Sequence, residues 1–72
     1  MTKYRNLNGN SNVISYEMGS DYIRVQFGTG SPYVYTYQSA GKENIEHAKK
    51  LAQQGYGLNS FIVRNMRKLY AR

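Results

Sequence analysis

Alternating hydrophobic and polar residues predict three successive strands, over residues 13–18, 22–27 and 33–38. The segments between them are short and contain glycine, serine or proline, which is typical of the turns of an antiparallel meander. One side of each strand carries large apolar residues and the other is mostly polar, so we expect only one face of the sheet to be covered. The predicted inward set is Ile14, Tyr16, Met18, Ile23, Val25, Phe27, Tyr33, Tyr35 and Tyr37.

Two segments with a helical period follow the predicted strands. Residues 42–54 carry apolar side chains at offsets of three and four, with Ser39 as a suitable N-cap and Gly55 placed to end the helix. Asn59 or Ser60 is predicted to be the N-cap of a last helix. Its apolar side would carry Leu58, Ile62, Met66, Leu69 and Tyr70, and its opposite side Arg64, Arg67, Lys68 and Arg72. The predicted fold class is α+β: a three-stranded antiparallel β-meander followed by two α-helices packed on one face.

Residues 1–12 differ from the rest of the chain because asparagine and glycine interrupt any hydrophobic period there. We expect a flexible basic N-terminal arm, with Lys3 and Arg5 as its cations, followed by a single domain over residues 13–72. A chain of 72 residues holds one domain and buries about 60% of the surface that its unfolded form exposes. Tyr33, Tyr35 and Tyr37, spaced two residues apart, form a tyrosine row on one side of the third predicted strand. Few large side chains can be spared from so small a core, which favours a core role for this tyrosine row over a role as a base-stacking platform.

The absence of cysteine excludes disulfides and thiolate metal sites. No apolar run approaches the roughly 18 residues of a membrane span, and residues 1–12 have no apolar core of the kind that a secretory signal needs. From these features we expect a soluble cytoplasmic protein without a membrane partner.

Ten Lys and Arg residues against four Asp and Glu residues give a formal net charge of +6, which favours anionic partners. The last acid in the chain is Glu46, so the basic side of the last helix is one-sided in charge. We predict that this side binds the phosphates of RNA or another single-stranded nucleic acid, with an ordinary solvated helix face as the alternative. The predicted binding residues are Arg64, Arg67, Lys68 and Arg72 for phosphates, and Tyr22 and Arg24 on the open sheet face for bases; Lys42, Lys49 and Lys50 could extend the basic surface.

Several signals follow one another along the chain: a strand ending in Phe27, a glycine loop, Tyr33-x-Tyr35, a helix, a glycine, and Leu58-Asn59-x-x-Ile62. This order resembles the KTSC domain, a short module found alone in bacterial and phage proteins and at the C-terminus of some lysyl-tRNA synthetases. The resemblance covers residues 12–70. It implies RNA binding, by analogy with attachment to a tRNA-handling enzyme, and brings no catalytic residues. The chain departs from the family pattern at residues 39–41, where a Val-Pro step is expected, and at Gln54, where a serine is frequent.

No catalytic constellation can be assembled with conviction from the one histidine and four acids of this chain. His47 has neither a second histidine nor a cysteine with which to share a metal. Gly28-x-Gly30 lacks the lysine of a P-loop and leads into a strand, so a hairpin turn is predicted there. We therefore expect a non-catalytic module without cofactor or metal. The alternative to nucleic-acid binding is a protein interaction module, including a phage accessory protein, that docks through the open sheet face or a sheet edge.

Overall fold

The computed structural model describes residues 1–7, 9, 12–28 and 30–71. The strands of its sheet are β1 (Thr2–Lys3), β2 (Val13–Met18), β3 (Tyr22–Phe27) and β4 (Tyr33–Thr36). The helices are α1 (Tyr37–Ala40), α2 (Lys42–Gln54) and α3 (Leu58–Phe61), and α3 continues into a π-helical segment (Ile62–Met66). All strand pairs are antiparallel and follow chain order, β1-β2-β3-β4. The α+β meander is therefore confirmed, whereas the predicted count of three strands is wrong because the sheet has four.

The additional strand lies in the segment that the sequence assigned to an arm. Thr2 pairs with Tyr16 on β2, and the backbone N–H of Tyr4 donates to the carbonyl of Ile14 at 2.8 Å. The Tyr4 side chain is buried in the core with 2% of its surface exposed. A two-residue strand is too short to show a period of two, which is why hydrophobic patterning missed it. Asn8, Asn10 and Ser11 of the predicted arm lie outside the described residues.

The inner face of β3 and β4 holds the centre of the core. Ile23 and Val25 are fully buried and Tyr35 is 1% exposed, as the alternation predicted. Tyr33 departs from the prediction, since 45% of its surface is exposed at the start of β4. Apolar side chains from α2, α3 and the π segment complete the core on the same face, namely Ile45, Ala48, Ala52, Leu58, Ile62 and Met66.

A β-bulge changes the side to which the first residues of β2 point. The register between β2 and β3 shifts between Val13 and Ser15, which inserts one extra residue into the strand. Val13 is consequently buried, whereas Ile14, predicted to face inward, is 48% exposed. Tyr16, beyond the bulge, is buried as predicted.

A short helix, α1, replaces the end of the predicted third strand. Thr36 is its N-cap: the Thr36 Oγ1 accepts a hydrogen bond from the Ser39 N–H at 3.0 Å, and the Ser39 Oγ accepts one from the Thr36 N–H at 2.9 Å. This reciprocal pair is a capping box with serine at its third helical position. Ser39 therefore caps no later helix, and Tyr37, predicted to end a strand, begins α1. Gly41 separates α1 from α2 with a φ of 93°.

Helix α2 has the predicted bounds, and Gly55 ends it as predicted. Gly55 adopts a left-handed φ of 92°, and its N–H donates to the Leu51 carbonyl at 3.0 Å, which satisfies one of the free carbonyls of the last turn. The next helix begins at Leu58, with Gly57 as its N-cap, rather than after Asn59 or Ser60.

The last helix does not keep the α-helical period on which its apolar side was predicted. From Ile62 to Met66 the backbone is π-helical, and the chain turns after Met66. Ile62 and Met66 are buried as predicted, but Leu69 lies beyond the helix and is 39% exposed. Tyr70 remains partly buried against the core. No helix in the described part of the chain is long and apolar enough to span a bilayer.

Candidate nucleic-acid interface

Three exposed cations follow one another at the end of the last helix and form the C-terminal cations, Arg64, Arg67 and Lys68. Arg64 lies in the π segment, and Arg67 and Lys68 lie in the turn after it. The buried neighbours Ile62 and Met66 point to the core, so the cations between and beyond them point to solvent. Arg72, the fourth predicted cation, lies outside the described residues.

None of the C-terminal cations makes an ion pair with a described residue. The ion pairs of the described part of the chain are Arg24 with Glu17, at 3.7 Å, and Lys49 with Glu46, at 3.1 Å. The remaining acids, Asp21 and Glu43, precede α3 in the chain. The positive charge of the C-terminal cations is therefore available to an external anion.

Arg24 lies on the outer face of the sheet, in a setting different from that of the C-terminal cations. It is directly opposite Glu17 in the β2–β3 register, and the two side chains, each about half exposed, form the ion pair described above. An exposed ion pair of this kind adds little stability, but Glu17 partly neutralises the field of Arg24. Arg24 is thus a weaker phosphate ligand than a cation without an acidic neighbour.

Tyr22, the second predicted residue on the outer face, packs against the preceding turn. A Cβ built on Gly19 would collide with the Tyr22 ring, so the ring covers this glycine closely. The Gly19 N–H also donates to the Tyr22 carbonyl at 3.0 Å. One side of the ring is therefore occupied by the turn, and Tyr22 is partly buried.

The structure does not bring the two halves of the predicted site onto one face. Arg24 is exposed between Ile23 and Val25, whose side chains point to the opposite face of the sheet. The last helix packs on that opposite, inner face through Ile62 and Met66. Tyr22 and Arg24 therefore share the outer face, while the C-terminal cations belong to the helical layer.

Four aromatic rings at the start of β4 form a cluster that we call the tyrosine cluster: Phe27, Tyr33, Tyr35 and Tyr70. The rings of Tyr33 and Tyr70 are stacked, with centroids 4.8 Å apart and planes 14° apart. Tyr35 meets Tyr70 edge to face at 6.4 Å, and Phe27 meets Tyr33 at 5.9 Å. Burial, and then the neighbouring Tyr33 and Tyr70 hydroxyls, raise the pKa of Tyr35 to about 12.

The sequence predicts only part of the tyrosine cluster. The spacing of Tyr33 and Tyr35 places both on one side of β4, and Tyr70 was predicted to be apolar-facing. The stacking of Tyr70 on Tyr33 could not be predicted, because the helix ends before Tyr70. The hydrophobic pattern of the sequence therefore does not show that Tyr70 lies beside β4. The Ala71 N–H donates to the Val34 carbonyl at 2.6 Å, so the C-terminal segment also lies along the edge of β4.

A second stacked pair joins α2 to α3. The rings of His47 and Phe61 have centroids 4.5 Å apart and planes 26° apart. His47 is exposed, as predicted for a helix surface residue, and Phe61 is partly buried. Among the described residues, no three His, Cys, Asp or Glu side chains lie close enough to hold a metal ion.

Lys49, which was predicted to extend the basic surface, makes hydrogen bonds within the protein. Its Nζ donates to Glu46 Oε2 and to the Ser20 carbonyl, both at 3.1 Å. The Tyr37 hydroxyl also donates to Glu46 Oε2, at 2.6 Å. These hydrogen bonds lower the pKa of Glu46, and the bond to Glu46 raises the pKa of Tyr37. The network links α1 and α2 to the β2–β3 turn.

A cavity of about 350 Å³ opens beside the N-terminal strand. It is lined by Lys3, Tyr4, Arg5, Asn6, Val13 and Ile14. The Arg5 guanidinium donates a hydrogen bond to the Gln53 carbonyl at the end of α2. Arg5 is thus used to attach the N-terminal segment to α2, and it is not a free cation of the cavity.

Comparisons with protein-family models, with curated proteins and with solved structures find no match to this chain. The resemblance to the KTSC domain therefore stays a prediction.

Proposed function

We propose that this chain is a small non-catalytic module that binds RNA or another single-stranded nucleic acid through its C-terminal cations. The observation that carries the proposal is the exposure of Arg64, Arg67 and Lys68 on one short segment, without an ion pair to any described residue. Lysine and arginine side chains in this state bind phosphates and release the counterions condensed on the nucleic acid.

Single strands suit this surface better than a duplex groove does. Single-strand binders combine cations along the backbone with aromatic rings on which bases stack. The stacked rings of Tyr33 and Tyr70 belong to the same part of the chain as the cations, because Tyr70 follows Lys68 by two residues and Tyr33 is 45% exposed. A purely electrostatic surface would need none of these rings, so the combination favours a single-stranded ligand.

The test is fluorescence anisotropy of a short labelled single-stranded RNA, titrated with the protein at several salt concentrations. If four cations including Arg72 contact phosphates, the slope of log affinity against log salt should be about −3. The double variant Arg64→Ala, Lys68→Ala should bind more weakly, and its slope should be less steep by about 1.4 because two phosphate contacts are lost.

A matched control removes one charge elsewhere. Lys3 is exposed on β1 and was assigned no role in the basic surface. Lys3→Ala should therefore keep the wild-type salt slope, whereas the slope of Lys68→Ala should be less steep by about 0.7. Absence of binding at low salt, or equal losses in these two single variants, would contradict a role for the C-terminal cations.

Protein docking is the second candidate function, and exposed apolar residues near the N-terminal strand favour it. Met1, Leu7 and Ile14 are 55%, 60% and 48% exposed. Strand β1 pairs with Ser15 and Tyr16 of β2, so among the described residues Glu17 and Met18 have no strand partner on this edge, where another chain could add a strand. This candidate predicts association that responds to Ile14→Ser, does not respond to Arg64→Ala, Lys68→Ala, and depends weakly on salt.

A further inference from the structure

The stacked pair of Tyr33 and Tyr70 has the geometry that a nucleobase adopts on a tyrosine. The two ring planes are nearly parallel, at 14°, with centroids 4.8 Å apart. Single-stranded nucleic acids are bound by base rings laid flat on aromatic side chains in the same manner. Tyr33 is still 45% exposed with Tyr70 in place, so its ring lies at the surface within reach of a ligand.

The segment that carries Tyr70 lies outside the helices and strands. After Met66 the chain turns, the Leu69 N–H donates to the Met66 carbonyl at 2.9 Å, and the Ala71 N–H donates to the Val34 carbonyl at 2.6 Å. Leu69 contributes little to burial, because it is 39% exposed. Segments outside helices and strands that bury few side chains open at a lower free-energy cost than core elements do.

The same segment connects the stacked pair to positive charge. Arg67 and Lys68 immediately precede Leu69 and are exposed. A base on Tyr33 would bring its own phosphate close to this part of the chain, where no ion pair to a described residue competes for the two cations. Stacking and phosphate binding would thus act on one short stretch of nucleic acid.

We propose that Tyr33 is a base-stacking subsite and that Tyr70 occupies it in the free protein as an intramolecular competitor. This inference rests on the proposed function, because it takes the ligand to be a single-stranded nucleic acid. Binding would move the 69–71 segment off β4, replace the Tyr70 ring with a base, and break the hydrogen bond between Ala71 and Val34.

The test uses the same RNA titration with variants of the cluster. Tyr70→Ala should bind about two to ten times more tightly than wild type, since one aromatic pair no longer competes. Tyr70→Phe keeps the stacked ring and should bind like wild type. Leu69→Ala, in the same segment but at a residue without an aromatic ring, is the matched control and should also be unchanged. Tyr33→Ala should bind more weakly than wild type, and adding Tyr70→Ala should no longer tighten it.

A second measurement uses the wild-type protein and does not depend on any variant being folded. The exchange rate of the Ala71 amide proton, followed by NMR, should rise when RNA saturates the protein, because its acceptor on Val34 is lost. An unchanged or slower exchange would overturn the proposal. A matching single-stranded DNA should give the same result if the base ring is the feature recognised, and a difference would assign the preference to the sugar.

The outcomes separate this inference from the proposed function. If Tyr70→Ala binds no more tightly while the salt slope still depends on Arg64 and Lys68, the subsite is wrong and the phosphate-binding role stands. If wild type fails to bind and Tyr70→Ala binds, the competitor role is supported in its strongest form. If neither protein binds RNA or DNA at low salt, both proposals fall.

Discussion

Tyr4 and Leu58 lie 54 residues apart in sequence and share a buried hydrogen bond, in which the Leu58 N–H donates to the Tyr4 hydroxyl at 3.3 Å. Leu58 is the first residue of α3, where a helix has N–H groups without internal partners. Its N-cap is Gly57, which has no side chain to satisfy them. Tyr4 therefore performs the task of an N-cap from the opposite end of the chain, and burial raises its pKa despite this bond.

The first prediction removes this hydrogen bond. Tyr4→Phe should lower the free energy of unfolding by about 1 to 2 kcal/mol, because the buried Leu58 N–H loses its acceptor. Urea unfolding followed by circular dichroism measures the loss. Tyr16→Phe is the control, since the Tyr16 ring is buried but its hydroxyl has no hydrogen-bond partner among the described residues. Equal losses in the two variants would show that the Tyr4 bond adds no stability.

The second prediction concerns the centre of the tyrosine row. Tyr35→Ala should lower the free energy of unfolding by about 3 kcal/mol, because the ring is 1% exposed and its removal leaves a cavity. Tyr33→Ala, at the exposed end of the same row, should cost about 1 kcal/mol, the value of an aromatic pair. Thermal or urea unfolding measures both, and an unchanged midpoint for Tyr35→Ala would remove Tyr35 from the core.

The third prediction concerns alkaline pH. The pKa of Tyr35 is about 12 in the folded protein, against 10.0 for an unperturbed tyrosine. The stabilising contribution is complete below the unfolded pKa, and stability falls as pH rises through the interval between the two values, because only the unfolded chain releases the proton there. The free energy of unfolding should fall by up to about 3 kcal/mol across this interval.

Tyr35→Phe tests this linkage directly. The variant keeps the ring and lacks the ionisable hydroxyl, so its urea midpoint should change less between neutral and alkaline pH than that of wild type. A wild-type slope retained in Tyr35→Phe would assign the alkaline loss to other tyrosines.

The fourth prediction compares two glycines with the same backbone and different surroundings. Gly55 and Gly57 have φ values of 92° and 86°, so alanine is strained at both, by roughly 1 to 2 kcal/mol. A Cβ at Gly55 would also lie 3.0 Å from Arg5 and 3.2 Å from Leu7, whereas at Gly57 it would make an ordinary 3.6 Å contact with Leu51. Gly55→Ala should therefore lose about 1 kcal/mol more than Gly57→Ala. Equal losses in the free energy of unfolding would show that Arg5 and Leu7 can move away from a Cβ at Gly55 without a measurable cost.

Hydrophobic periodicity predicts a helix or strand correctly when the element is long enough for its period to be visible in the sequence. Helix α2 and strand β3 are of this kind, and both have the predicted bounds. The N-terminal strand is too short to show a period, and its buried Tyr4 depends on a contact with Leu58. The bulge at Val13 and the π segment after Phe61 change the period within an element, so Ile14 and Leu69 were assigned to the wrong side.

The exposure of the C-terminal cations was predicted from the sequence, but their position relative to Tyr22 and Arg24 was not. The helical pattern predicted the exposure of Arg64, Arg67 and Lys68, although only Arg64 lies in the helix and the other two lie in the turn after it. Contacts between distant segments have no such local signal. The ion pair of Arg24 with Glu17 and the stack of Tyr70 on Tyr33 both depend on which elements meet, and only the folded chain determines that.

The meander also sets an order of events during synthesis. Each strand pairs with its neighbour in sequence, so the sheet can assemble as the chain leaves the ribosome. The inner face of the sheet is covered only after α2 and the last helix have been synthesised. The Tyr4 hydroxyl can accept its hydrogen bond only after Leu58 has left the ribosome. A nascent chain that stalls before this point would expose the apolar inner face of the sheet, and exposed faces of this kind promote aggregation.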